Sequence, residues 1–443
     1  MHIGWAAVLD PPEVGPSPTF EELRDHICTR LPRAPRCRQT LRRVPFGLSA
    51  PVWVDDPNFD LDRHVFRAES EQLNEIVDAC MSEPLQRDRP LWQMLIAPRL
   101  EDGRVALVGK AHHCMVDGIA AVELASLLLD PTPDPPPTTA DAWRPEPAPG
   151  TLELLLRGAA DLVGDELRLA SIPARVLASP RLAVEVVGRG RRALGALVDS
   201  ARPARFVEVL NRPITPRRHL GYVTRPIDDL LRIKRAHAVK LNDVVLAVAT
   251  SAVRRFLSDH GERPVAVKAM VPVSMRSEAE DEGLGNRISY MFVDLPCDEP
   301  NPVRRVHEIH GETDERKRHE TPAGGDDIVG LLGLAPPPVR RLLSRVVASP
   351  RTFNLVVSNI PGPRSNTYMR GCGLRETYPV VPLADRHTLS IGFTSVGDRA
   401  CFGLYAARDA LPDVDDLAAR LDEAIDELLE LGASVESPVP ALG

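Results

Sequence analysis

The stretch KAHHCMVDGIAAVE, from Lys110 to Glu123, holds the only adjacent pair of histidines in the chain, His112 and His113. The apolar segment from Arg104 to Ala111 is typical of a strand, and the apolar residues from Ile119 to Leu129 recur at helical spacing. The stretch therefore predicts a strand, a turn and a helix, with two imidazoles where the strand ends.

The two histidines are expected to have different roles. Successive side chains of a strand point to opposite faces, so His112 and His113 should not face one cavity if the strand continues through them. This disfavours a metal site, since two ligands on opposite faces cannot share an ion, and the spacing is not that of HExxH. Asp117 could fold back to an imidazole or an arginine, and Gly118 suits the turn. The alternative is that both histidines only pack.

Bulk properties narrow the class of protein. A chain of 443 residues exceeds the usual size of one core and predicts two domains. A net charge of -8 and an aromatic fraction of 4% argue against nucleic acid as a partner. The 7 cysteines are scattered and never in CxxC spacing, as in cytosolic proteins with reduced thiols.

No apolar run approaches the roughly 18 residues of a spanning helix, and the first residues lack a signal peptide's basic region. We therefore expect a cytoplasmic protein.

A proline-rich segment divides the chain. Residues 130–150, DPTPDPPPTTADAWRPEPAPG, exclude helix and interior strand and predict an extended linker. We therefore predict an N-terminal domain at 1–130, a linker with crossover helices at 131–206, and a C-terminal domain at 207–443. Residues 151–206 carry nine arginines against six acids. Two interpretations stay open: an amphipathic segment on an anionic membrane, or helices packed on the domains.

Local patterns predict the other elements. Ile3 to Leu9 is typical of a strand, and Thr19 is expected to cap a helix that begins at Phe20. The closing strands form a hairpin pattern about Gly397 and Asp398.

Five polar residues outside the HHxxxDG stretch have structural interpretations. Asn242 is expected to cap a long helix, with Asp243 beside it. Arg276 is the candidate ion-pair partner of Asp117, because two buried charges need one another. His64 is expected to be a surface or strand residue. His310 is expected on a solvated helix face.

Several segments carry a resemblance to a known family. HHxxxDG resembles the active-site motif of the CoA-dependent acyltransferase superfamily, which includes chloramphenicol acetyltransferase, condensation domains of peptide synthetases, and bacterial wax ester synthase/diacylglycerol acyltransferases. Further segments resemble the last of these branches and follow its order along the chain: Trp53 to His64, Pro90-Leu91-Trp92, Asn242-Asp243, VPVSMR (271–276), GNRISYMFVDLP (285–296) and SNIPGP (358–363). Family members usually carry a segment of LSPxDxxFL type before the MHIG-like strand. Here the chain opens at that strand, so we expect a truncated start or a first domain that lacks one element.

The resemblance implies a fold and a set of roles. The implied class is α/β with mixed sheets, in two chloramphenicol-acetyltransferase-like domains with a tunnel between them and HHxxxDG at its middle. Carried over by position, His113 is the general base, His112 and Asp117 hold the site, and Gly118 permits the turn. Asn242 and Asp243 are a further family motif.

The resemblance also implies a reaction. A long-chain acyl group passes from acyl-CoA to diacylglycerol, making triacylglycerol, or to a fatty alcohol, making a wax ester. No cofactor is implied besides the substrate acyl-CoA, and contact with a membrane or lipid-droplet surface is expected.

The residue chemistry agrees with the implied reaction. Acyl transfer to an alcohol needs a base for the hydroxyl proton, and an imidazole with a pKa of about 6.5 is well placed at neutral pH. No protein nucleophile is required, so an acyl-Cys114 intermediate is a minor alternative. Two other functions stay open: a carrier-protein-dependent acyltransferase or condensation enzyme, and a non-catalytic lipid-binding relative.

Overall fold

Two six-stranded mixed sheets form the frame of the molecule, which confirms the predicted α/β class. The computed structural model describes residues 2–115, 128–136, 143–160, 203–274, 288–319, 349–363 and 365–436. The helix predicted between Ile119 and Leu129 lies almost wholly outside these residues.

The first sheet is built around β1 (His2–Asp10) and its antiparallel neighbour β6 (Val105–His112). Its order is β11-β12-β1-β6-β5-β4. The other four strands are β4 (Val65–Arg67), β5 (Trp92–Ala97), β11 (Tyr368–Met369) and β12 (Cys372–Val380). Two helices cover opposite faces of this sheet, α1 (Phe20–Arg30) and α2 (Leu73–Ser82). The predicted cap of α1 is confirmed, because the Thr19 hydroxyl accepts the Glu22 N–H at 3.2 Å.

The second sheet has the order β7-β14-β13-β10-β8-β9. Its strands are β7 (Arg218–Pro226), β8 (Val267–Ser274), β9 (Ile288–Leu295), β10 (Leu355–Asn359), β13 (Leu389–Val396) and β14 (Arg399–Ala407). Its helices are α3 (Ile227–Ala236), α4 (Leu241–Asp259), α5 (Pro302–His319) and α6 (Val414–Glu436). The predicted hairpin is confirmed, with β13 and β14 joined at Gly397, whose φ is 55°. A small hairpin, β2 (Gln39–Arg42) with β3 (Val52–Asp55), and a helical stretch at 151–160 lie outside both sheets.

One segment crosses from the predicted C-terminal domain to the first sheet. β11 and β12 fall within 207–443, but β12 pairs with β1 along most of its length. The sequence boundary at 207 is therefore not a boundary between the two sheets, because backbone hydrogen bonds join segments more than 360 residues apart.

Paired glycines allow the two sheets to approach each other. Gly392 of β13 lies opposite Gly403 of β14. A Cβ at Gly392 would lie 2.7 Å from the Pro379 Cβ, and one at Gly403 would lie 2.3 Å from the Pro379 carbonyl oxygen. Because real Cβ contacts are longer than this, β12 can cross the hairpin here only over glycines.

The segment from Trp53 to His64 contributes two rings, Phe59 and His64, to a buried aromatic stack. The His64 ring lies between Phe59, at 5.3 Å, and Trp92, at 4.8 Å between ring centroids. His64 is 1% exposed and its Nδ1–H donates to the Trp92 carbonyl at 2.9 Å, so of the two predicted positions the surface is excluded, and the residue directly precedes β4. The Trp92 Nε1–H donates to the Cys37 carbonyl at 2.7 Å, which ties β5 to the loop after α1.

Within the described ranges, no single helix combines the length and apolar composition needed to cross a membrane. The helices α3 and α4 pass that test only as a pair, with a bend of 99° between them.

Candidate active site

The strand that carries the histidine pair ends at His112. The His112 N–H donates to the Leu91 carbonyl at 2.9 Å, and the His112 carbonyl accepts the Met115 N–H at 2.8 Å, which closes a turn. Met115 is 9% exposed, so the chain re-enters the core three residues after the strand. His113 therefore lies in the turn, and strand alternation does not set its direction. The expectation of opposite faces assumed a strand that continues, and the structure ends it one residue earlier.

His112 holds this turn from within. Its Nδ1 accepts the Cys114 N–H at 3.2 Å, and the Cys114 thiol lies 3.0 Å from the same nitrogen. Because Nδ1 is an acceptor, the proton of the neutral ring is on Nε2. Partial burial, helped by the positive charge of Arg87, lowers the pKa of His112. The neutral His112 ring thus orders the turn, as expected of a residue that supports the site.

The His113 ring is the less constrained of the pair. It is partly buried, and no residue in the described part of the chain hydrogen-bonds to it. The neighbouring Cys114 is exposed, and partial desolvation raises the pKa of its thiol, which disfavours the thiolate form that a nucleophile needs.

A buried lysine fixes the end of β6. Lys110 is fully buried, and its Nζ donates to the carbonyls of Cys80 and Glu83, the latter at 2.8 Å, where α2 ends. A cation is favourable at this end of a helix, where the last carbonyls lack partners. Lys110 was not predicted from the sequence, although alternation along the strand places it on the same buried face as Ala106 and Val108.

The Asn242-Asp243 motif caps a helix, but not as predicted. α4 begins at Leu241 after Lys240, so Asn242 is inside the helix and its predicted capping role is wrong. Asp243 instead accepts the Lys240 N–H at 3.0 Å. The buried carboxylate also accepts His310 Nδ1–H at 2.7 Å and the Thr313 hydroxyl at 2.8 Å, both from α5. His310 is therefore a partner of Asp243 and not part of a solvated face.

A small apolar cavity lies between the two sheets. It measures about 40 Å³ and is lined by residues of both sheets and of the SNIPGP segment: Trp5, Ala7, Met94, Leu107, Leu128, Leu129, Pro363, Leu374, Thr377 and Thr394. A larger cleft of about 650 Å³ lies outside α1, and neither His112 nor His113 lines it.

Two family models match the chain. Residues 1–245 match the wax ester synthase/diacylglycerol acyltransferase catalytic domain, and residues 284–429 match the C-terminal domain of that family. The chain belongs to the wax ester synthase/diacylglycerol acyltransferase family. The resemblance drawn from the motifs is thereby confirmed.

Relatives and solved structures agree with this family. A Mycobacterium tuberculosis protein named "Probable diacyglycerol O-acyltransferase" is 31% identical over 97% of this chain and 92% of its own length. The wax ester synthase/diacylglycerol acyltransferase of Marinobacter aquaeolei is similar in structure, with a TM-score of 0.68 and 25% identity, over 98% of this chain and 95% of that one. The first condensation domain of the calcium-dependent antibiotic synthetase shares the fold, with a TM-score of 0.59 at 15% identity, over 100% of this chain and 93% of that one.

Three predicted site residues of this family member, Asp117, Gly118 and Arg276, lie outside the described residues. The predicted ion pair between Asp117 and Arg276 therefore remains a prediction. Of the others, His112 and His113 lie together at the end of β6, whereas Asn242 and Asp243 lie on α4, beside the second sheet.

Proposed function

We propose that this protein transfers a long-chain acyl group from acyl-CoA to the free hydroxyl of diacylglycerol, with His113 as the general base. The observation that carries the proposal is the His113 imidazole. It stands in a turn ordered by a neutral His112, and no described residue competes for its nitrogens. The relatives named as diacylglycerol O-acyltransferases support the choice of acceptor.

The proposed reaction needs one proton shuttle and no protein nucleophile. A nitrogen of His113 takes the hydroxyl proton as the acceptor oxygen attacks the thioester carbonyl carbon, and a C–O bond forms. The tetrahedral oxyanion then collapses, the C–S bond breaks, and the imidazolium returns the proton to the CoA thiolate. The products are triacylglycerol and CoA. A long-chain alcohol in place of diacylglycerol would give a wax ester by the same steps.

The proposed working place is the surface of a membrane or lipid inclusion. The Phe46 side chain is 91% exposed, and its φ of 58° is a conformation that a bulky residue rarely adopts. Leu152 and Leu156, one helical turn apart, are 70% and 64% exposed. The helix at 151–160 packs on the Phe46 loop, where a Cβ at Gly158 would lie 2.9 Å from Val44. Exposed apolar side chains of this kind suit contact with lipid.

The test is release of CoA and formation of triacylglycerol by purified protein with octadecanoyl-CoA and diacylglycerol. Replacing the base in His113→Ala should lower kcat by about 10²–10⁴-fold, with an unchanged thermal unfolding midpoint. Cys114→Ala, one residue away, is the matched control and should retain activity. Full activity of the folded His113→Ala protein would refute the role of His113. Turnover only with an acyl carrier protein would refute acyl-CoA as the donor.

A further inference from the structure

Residues 26–54 carry six arginines and no acidic residue, in a chain whose net charge is -8. Four of the six have partners within the protein, an aspartate or an aromatic ring: Arg30 and Arg33 with Asp130, Arg36 with Trp53, and Arg38 with Trp143. The other two, Arg42 and Arg43, stand where β2 ends, and neither makes an ion pair with a residue that the structure describes. The β2–β3 hairpin therefore presents two positive charges without a carboxylate beside them.

The two ends of the hairpin differ in charge. Gln39 lies opposite Asp55 at the base, and Arg42 lies opposite Val52 at the tip, about 10 Å further along the strand. The Asp55 carboxylate is held at the base, where it accepts the Gln39 amide at 3.2 Å and the Glu146 N–H at 3.0 Å. No acidic residue lies between Arg42 and Val52. The positive charge is thus concentrated at the tip.

The loop at this tip turns its aromatic residue outwards. The Gly47 N–H donates to the Val44 carbonyl at 3.1 Å, and Phe46 and Gly47 have φ values of 58° and 66°. Glycine adopts this conformation freely, whereas for phenylalanine it is unfavourable. Since the Phe46 side chain is 91% exposed, packing within the protein does not offset that cost. A bulky apolar residue held outwards in this way suits a ligand outside the chain.

The helix at 151–160 lies beside the tip and adds apolar area without net charge. A Cβ at Gly158 would lie 3.2 Å from the Leu48 Cβ, so the helix packs against the loop. Its glutamate and its arginine, Glu153 and Arg157, pair with each other at 2.6 Å. The two arginines of the hairpin tip therefore stay the source of charge on this surface.

An anionic bilayer matches the tip in both charge and polarity. Arginines close to a membrane are attracted to anionic headgroups, and an apolar ring beside them can enter the boundary between headgroups and acyl chains. A bilayer also accepts a protruding ring without a preformed pocket. The uncharged surface of a neutral lipid inclusion would match Phe46 but would leave Arg42 and Arg43 without partners.

We propose that the hairpin tip, Arg42 to Leu48, docks this protein on bilayers of anionic phospholipid. Phe46 enters the boundary below the headgroups, and Arg42 and Arg43 bind lipid phosphates. The inference rests on the proposed function, whose working place at a lipid surface it makes specific: a charged bilayer, in which diacylglycerol is dissolved, is the partner. No covalent step is involved.

The test is co-sedimentation of the full chain with vesicles of phosphatidylcholine alone, or of phosphatidylcholine and phosphatidylglycerol in equal parts. The wild-type protein should bind the anionic vesicles about tenfold more tightly, and added salt should reduce this preference. The double variant Arg42→Gln, Arg43→Gln should lose the preference. Phe46→Asn should weaken binding to anionic vesicles by about tenfold.

Matched controls separate the tip from general effects of charge and exposure. Arg67 and Arg99 are exposed arginines outside the hairpin, and Phe206 is 63% exposed beside the second sheet. The double variant Arg67→Gln, Arg99→Gln and the single variant Phe206→Ser should bind anionic vesicles like the wild type. Equal weakening by these controls would overturn the assignment to the hairpin tip.

The unfolding midpoint distinguishes docking from a structural role of Phe46. Because asparagine adopts positive φ more readily than phenylalanine, the midpoint of Phe46→Asn should equal or exceed that of the wild type. A lower midpoint would show that the ring stabilises the fold and would overturn the proposal. Equal binding of the wild type to both kinds of vesicle, or binding to neither, would also overturn it.

Two further measurements separate this proposal from its neighbours. Sedimentation velocity without vesicles should show the same oligomeric state for the wild type and Phe46→Asn. A wild-type dimer that dissociates in Phe46→Asn would assign the tip to a second copy of the chain and overturn docking on lipid. If the wild type bound anionic vesicles but released no CoA from acyl-CoA and detergent-dispersed diacylglycerol, the proposed reaction would fail and the docking surface would stand.

Discussion

Asp78 on α2 and His219 on β7 are 141 residues apart in the chain, and their side chains meet with 2.6 Å between Oδ2 and Nδ1. The other ring nitrogen of His219 lies 3.0 Å from an oxygen of Asp415 on α6. The remaining oxygen of Asp78 accepts the Leu220 N–H at 3.3 Å. A helix of the first sheet is thus bound to an edge strand of the second through one imidazolium between two carboxylates.

This contact predicts that the folded protein loses stability as the pH rises into the alkaline range. The hydrogen bond that the His219 ring donates to the Asp78 carboxylate raises the pKa of His219 to about 9. Because the folded state binds the His219 proton more tightly, this contact contributes its full stability below the unfolded-state pKa of about 6.5. That contribution is lost as the pH rises through the folded-state pKa of about 9. Between pH 6 and pH 10 we expect the unfolding free energy of the wild-type protein to fall by about 2 kcal/mol more than that of His219→Gln. Urea unfolding at both pH values measures this, and parallel pH profiles would contradict it.

The crossing of β12 over the hairpin predicts a strict requirement for glycine at position 403. Gly403→Ala would place a Cβ 2.3 Å from the Pro379 carbonyl oxygen, a backbone atom that cannot rotate away. We expect a loss of about 1–3 kcal/mol in unfolding free energy. Gly373→Ala on β12 is the control, because its Cβ would be 3.6 Å from the nearest atom, in ordinary contact. Equal midpoints for the two variants would show that the sheets can separate without cost.

The buried Lys110 predicts a coupling between α2 and the histidine turn. Lys110→Met keeps the aliphatic length but leaves the carbonyls of Cys80 and Glu83 without their donor. We expect a loss of about 1–3 kcal/mol in unfolding free energy. We also expect faster amide hydrogen exchange at His112, because the end of β6 loses its anchor. A variant that loses stability with unchanged exchange at His112 would show that Lys110 does not hold the turn.

The Cys114 thiol, beside the two histidines, is predicted to be dispensable for acyl transfer. Its raised pKa leaves little thiolate at neutral pH. Cys114→Ala should therefore keep CoA release within about threefold of the wild type, since His112 retains the backbone N–H of residue 114. Intact-protein mass spectrometry during turnover should show no acyl adduct. An adduct that disappears in Cys114→Ala would establish a covalent route instead.

Local patterns in the sequence determined much of the fold. Short runs of apolar residues located β1 and β6, Thr19 marked the start of α1, and Gly397 marked the hairpin. The order of the family motifs was enough to predict the family, and the HHxxxDG stretch located the histidines at a strand end. These features depend on periodicity and turn chemistry within about ten residues, so they can be recognised without knowing what lies across the molecule.

Only the tertiary structure decided which polar residues are buried and what they contact. His64 became a core residue because Phe59 and Trp92 enclose it, and Asp243 gained partners from a helix 70 residues away. β12 joined the first sheet although the sequence places it in the second half of the chain. The Thr394 hydroxyl, which has no hydrogen-bond partner among the described residues, is likewise buried only once the two sheets close around it. Burial and hydrogen bonding between distant segments are properties of the packed chain, and no local pattern encodes them.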